Sequence, residues 1–103
     1  MKTTNYEISK KLAEAKFKAN QVWNQEGQFW GYDLETILET LPNFIANKNK
    51  GENCLVIDVA FGEIHYEGDS DNDAMFITTT EENESLADTA ARLWLKLKKE
   101  GLV

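Results

Sequence analysis

The run from Asn83 to Gly101, Asn-Glu-Ser-Leu-Ala-Asp-Thr-Ala-Ala-Arg-Leu-Trp-Leu-Lys-Leu-Lys-Lys-Glu-Gly, narrows the possible folds more than any other stretch of this chain. It reads as a whole amphipathic helix with a start signal, an apolar stripe and a glycine stop. Leu86, Ala90, Leu93 and Leu97 recur at helical spacing and define a buried face, with Trp94 at its margin. Asp88 and Arg92 have the i, i+4 spacing of a side-chain ion pair. Gly101 supplies the left-handed residue after the helix, and Leu102 the apolar residue that completes a Schellman cap. Leu95 projects from the polar side, where with Ala91 and Trp94 it widens the apolar surface into a possible partner contact.

Two more helices are legible. Thr4-Asn-Tyr-Glu7 has capping-box spacing, and Ile8, Leu12 and Ala15 follow on one face, so a helix is expected from Thr4 to about Lys16 with Phe17 tucked beneath it. Asp33 is an N-cap residue, Glu35 suits the first turn, and Tyr32 with Ile37 has hydrophobic-staple spacing. Leu34, Ile37, Leu38 and Leu41 form that helix's stripe, which Pro42 ends. Phe44 and Ile45 are expected to plug the end of the core, and residues 47–53 to form a polar loop.

Between the helices the pattern turns to strands. Gln21 to Tyr32 predicts a hairpin about Glu26-Gly27 in which Trp23 faces Trp30. Cys54 to Phe61 alternates cleanly, with Leu55, Ile57, Val59 and Phe61 on one face and Cys54, Val56, Asp58 and Ala60 on the other. Gly62-Glu63 predicts a two-residue return into Ile64–Glu67, and Met75–Thr79 a further strand. The order is α-β-β-α-β-β-β-α. Short connections favour antiparallel pairing, so the expectation is one α+β domain over residues 1–103, a two-layer sandwich with helices on one face of an antiparallel sheet.

Composition bounds the function. The 103 residues suffice for one core that buries about 60% of the unfolded surface, and the apolar fraction of 42% argues against disorder. Cys54 is the only cysteine, which excludes an intrachain disulfide and any CxxC site. No apolar run is long enough for a membrane span and the first residues lack a signal-peptide core, so no membrane association and a cytoplasmic location are expected. The net charge is −7, and between Glu52 and Asp88 lie eleven acidic residues and no lysine or arginine. Such a middle repels phosphates and disfavours direct nucleic-acid binding; it suits a basic partner or DNA mimicry.

Catalytic patterns are thin. Asp69-Ser-Asp-Asn-Asp73 matches the first positions of a calcium loop, but Ala74 and Thr80 stand where the template needs glycine and glutamate. His65, the only histidine, shares a strand face with Asp58, Glu63 and Glu67, the composition of a divalent-metal or general-base site and equally of a solvated strand face. Cys54 is in an acidic region, which makes it a core cysteine rather than a nucleophile. No Gly-x-Ser-x-Gly elbow or glycine-rich phosphate loop is present. Trp23, Phe29, Trp30 and Tyr32 place aromatics on both faces of the first hairpin, and one face left open makes a recognition surface. The candidate partner-binding residues are Trp23, Trp30, Tyr32, Trp94 and Leu95. No catalytic residue, metal ligand or cofactor is assigned.

At Tyr32-Asp-Leu-Glu-Thr-Ile-Leu-Glu-Thr-Leu-Pro42 and at Asn83–Gly101 the sequence resembles small uncharacterised proteins encoded by phages and prophages. The resemblance covers most of the chain, with residues 47–80 alike only in pattern. Its motifs are helix caps and core stripes, so it implies a fold and carries no activity. The expectation is a non-enzymatic phage or prophage accessory protein that binds another protein or itself. The alternatives are an acidic DNA-mimic inhibitor of a DNA-binding protein and a metal-dependent enzyme centred on His65.

Overall fold

The computed structural model describes residues 3–46, 51–68 and 74–103. Its elements are α1 (Tyr6–Glu14), β1 (Val22–Asn24), β2 (Phe29–Gly31), α2 (Leu34–Thr40), β3 (Phe44–Ala46), β4 (Glu52–Asp58), β5 (Glu63–Glu67), β6 (Met75–Thr79) and α3 (Leu86–Lys99). This is the expected α+β order, with Phe44 and Ile45 in an additional short strand, β3, rather than plugging the end of the core. The strands form two antiparallel sheets, the β1-β2 hairpin and a four-stranded meander β3-β4-β5-β6. The calcium-like segment Asp69–Asp73 lies outside the described residues.

The helix boundaries follow local chemistry. Asn5, not Thr4, caps α1: its Oδ1 accepts from the Ile8 N–H at 2.8 Å. Thr4 is taken up elsewhere, its hydroxyl 2.6 Å from that of Ser9 and accepting from the Tyr32 N–H. The chain leaves α1 through Lys16 at φ 62, with Phe17 N–H donating to Leu12 and Lys16 N–H to Ala13, a Schellman turn that folds Phe17 into the core as expected. Asp33 caps α2 as expected, 2.8 Å from the Thr36 N–H. Gly101, at φ 75, ends α3, and the Leu102 N–H reaches back to Leu97.

Helix α3 is the hub. It packs on β5 and β6 and also against α1 and α2. Its buried arc is therefore wider than a single stripe: Ala87, Ala91 and Trp94 join Ala90, Leu93 and Leu97. Asp88 is buried too, which corrects its expected pairing with Arg92. One of its oxygens accepts from the Asn5 N–H at 2.6 Å and the other from the Ser85 N–H at 2.9 Å, so one carboxylate ties together the starts of α1 and α3. Arg92 instead clasps Glu84, Nη2 to Oε1 at 2.7 Å.

Strand register sorts the sheet's faces. Pairs Ile45↔Asn53, Leu55↔Tyr66 and Ile64↔Thr78 lie on the core side. Pairs Phe44↔Cys54, Val56↔His65 and Asp58↔Glu63 lie on the other. Between Ile64 and Tyr66 the β5-β6 register slips, so Phe76 and Ile77 together stand opposite His65. Phe76 has φ 54, a left-handed conformation that costs a bulky residue about 1–3 kcal/mol and marks a bulge.

Candidate interaction surface

The β4-β5 connection departs most from expectation. A two-residue turn at Gly62-Glu63 would pair Phe61 with Ile64; the observed partner of Ile64 is Ile57. Residues 59–62 form the loop instead. The Asp58 carboxylate accepts from the Phe61 N–H at 3.2 Å, the Gly62 N–H donates to Val59, and Gly62 adopts φ 62. The slip moves Val59 and Phe61 out of the strand and into solvent, 75% and 83% exposed. The Gly62 carbonyl accepts from the Thr80 N–H at 2.6 Å, which anchors the tip to the residue after β6.

Below this tip the outer face of the meander carries further apolar side chains. Phe44 is 60% and Ile77 51% exposed, and Val56 is half-buried between them in the strand order. Cys54 stands exposed on this same face, correcting its expected place in the core. The charged residues that the register places here, His65 aside, are Glu52, Asp58, Glu63 and Glu67, every one acidic.

His65 lies buried among them. Glu63 Oε2 approaches its Nδ1 to 2.8 Å and Glu67 Oε1 its Nε2 to 3.8 Å, so the predicted histidine–acid grouping is real. Despite the close Glu63 contact, the buried Nδ1 has no hydrogen-bond partner. Among the described residues no three His, Cys, Asp or Glu side chains are placed to hold a metal ion.

The sheet's β6 edge is closed from the helix side. Lys96 Nζ donates to the Ile77 carbonyl at 3.1 Å and to the Thr78 hydroxyl at 2.9 Å, and Arg92 Nη2 donates to the Thr79 carbonyl. Burial, together with the neighbouring Arg92 charge, holds the Lys96 pKa below the ordinary lysine value. For Glu84, burial acts upward, but the Arg92 hydrogen bonds, the Glu81 N–H and the Arg92 charge outweigh it and the pKa falls. Cations on an edge strand's carbonyls block strand addition there.

The predicted partner-binding aromatics divide. Trp23 and Trp30 pair across the hairpin as expected, ring centroids 5.3 Å apart, and both are exposed. Their loop has four residues rather than two, and the positive φ falls on Gln28 instead of Gly27. Tyr32 and Trp94 are core residues, a correction: each meets Phe17 edge-on, at 4.9 and 4.8 Å. Leu95 is partly buried against the core. Burial pushes the Tyr66 pKa to about 12, and its hydroxyl donates to the Pro42 carbonyl.

A depression of about 950 Å³ opens beside the first hairpin, between Thr3, Asn24 and the start of α3. Several of its polar groups are engaged: Asn24 Nδ2 donates to Thr3 Oγ1, Asn24 Oδ1 accepts from the Gly27 N–H, and Asp88 holds its two helix starts. No protein-family model, curated protein or solved structure matches the chain.

Sequence reading missed Phe44, Val59, Phe61 and Ile77 as surface residues. For the loop pair a signal existed: Asp58 and Gly62 bracket a turn, an Asx acceptor at its start and a positive-φ residue at its end.

Proposed function

We propose that this chain is a non-enzymatic accessory protein of phage or prophage type that docks onto a basic protein partner through the outer face of β3-β6 and the Phe61 tip. The observation that carries this reading is the solvent exposure of Phe44 and Ile77 on β3 and β6 and of Val59 and Phe61 in the β4-β5 loop, on a meander whose outer face carries Glu52, Asp58, Glu63 and Glu67. Burial of each such side chain is worth about 1.5–3 kcal/mol, enough together for specific association. The acidic border selects a cationic counterpart and speeds encounter with it.

Self-association through this face is the poorer fit, because a two-fold contact brings two copies of the same acidic face together. DNA mimicry shares the basic partner but places the binding energy in the carboxylates. Capture from host lysate by the native chain and by a Phe44→Thr/Phe61→Ser/Ile77→Thr variant separates the two. The proposal expects a basic protein retained by the native chain and lost by the variant. Equal capture by both, abolished instead by Glu63→Gln/Glu67→Gln, supports mimicry and removes the apolar docking mode.

A further inference from the structure

A second site lies on the core's opposite margin, where α1, α2 and α3 all end. A groove of about 450 Å³ has Phe17, Leu41 and Trp94 among its apolar walls and Lys16, Lys18 and Lys98 around it. The volume is within the about 300–1,000 Å³ range of small-molecule sites. Its charge is out of keeping with the chain: 18 acidic residues against 11 basic ones overall, yet three lysine ammonium groups and no Asp or Glu side chain line this groove. Among the described residues none of the three lysines forms an ion pair.

Lysines near helix C-termini also complement the helix dipole, and Lys98 is placed for that. That role also suits Lys16, one residue past the C-cap of α1, but does not explain Lys18. Both follow α1, and Lys16 takes a left-handed conformation in the turn that brings Phe17 into the core beside Trp94. The turn that seats the groove's aromatic wall thus also brings two cations to its lip.

We propose that this groove binds a small organic monoanion with an apolar body, a carboxylate bearing an aliphatic or aromatic tail. The tail lies against Leu102 and the accessible edges of Phe17, Leu41 and Trp94, and the carboxylate is met by the lysines, whose flexible stems reach over apolar surface while the charge stays at the water boundary.

The test is chemical-shift mapping of the isotopically labelled full chain with two probes of equal tail, octanoate and octyltrimethylammonium. Octanoate is expected to move the Trp94 indole and the Lys16–Lys18 amide signals saturably, and the cation to leave them in place. In Lys16→Gln/Lys18→Gln/Lys98→Gln, whose side chains are exposed and whose spectrum should otherwise be retained, octanoate affinity is expected to fall at least about tenfold, the loss of roughly one charge-assisted contact. Equal response to both probes, unchanged octanoate affinity in the variant, or no shift up to about 10 mM octanoate overturns the proposal.

Discussion

At the scale of single residues, Asp88 carries the most structural weight. Its carboxylate serves N–H groups at the starts of two helices that are far apart in sequence, and it is buried. Asp88→Ala leaves both donors without partners, a loss of about 2–4 kcal/mol readable as a lower denaturant midpoint. Glu84 makes stability depend on pH. Its folded-state pKa is lowered, so its contribution is present above the unfolded carboxylate value and is lost as pH falls through the folded value. Acid titration of the native chain and of Glu84→Gln is expected to show a shallower loss of stability in the variant over that range. Lys16 takes a positive φ better suited to glycine, and Lys16→Gly is expected to stabilise the fold by about 0.5–1 kcal/mol, read as a higher denaturant midpoint. Several caps were legible because their chemistry is local: Asp33 and Gly101 are where spacing puts them. Asn5 displaced Thr4 because Ser9 and Tyr32, one of them distant in sequence, compete for the threonine hydroxyl.

At the scale of elements, periodicity reveals helices and strands, whereas register depends on turn chemistry. The alternation from Cys54 to Phe61 continues past the end of β4, so it gave no sign that Asp58 closes the strand. The displaced register still keeps every paired residue on its predicted face, because the slip is even-numbered. Burial then fell differently from expectation, since only one face of the meander lies under α3. Cys54 is exposed for that reason. The tip depends on Gly62, whose φ is positive and where an added Cβ would lie 2.9 Å from the Thr80 hydroxyl. Gly62→Ala is expected to cost about 1–2 kcal/mol, measured by thermal unfolding, without altering the helices.

At the scale of the whole molecule, the α+β layering was legible and the candidate site was not. Helix stripes announce a core directly, because a face periodic in apolar residues must be covered. An outer sheet face gives no such signal: Phe44, Val56 and Ile77 are the same residue types that build cores, and only the assembled layers show which side the helices leave open. The aromatic hairpin suffered the converse error, with Tyr32 absorbed into the core beside Phe17. The central claim is that the Phe44 and Phe61 side chains serve no folding role and are free for a partner. Thermal unfolding of Phe44→Thr/Phe61→Ser tests this most directly. The account predicts a Tm within about 4–5 °C of the native chain, since exposed positions change stability by roughly 0.5 kcal/mol each. A fall of more than about 10 °C, the mark of lost core packing, would contradict it.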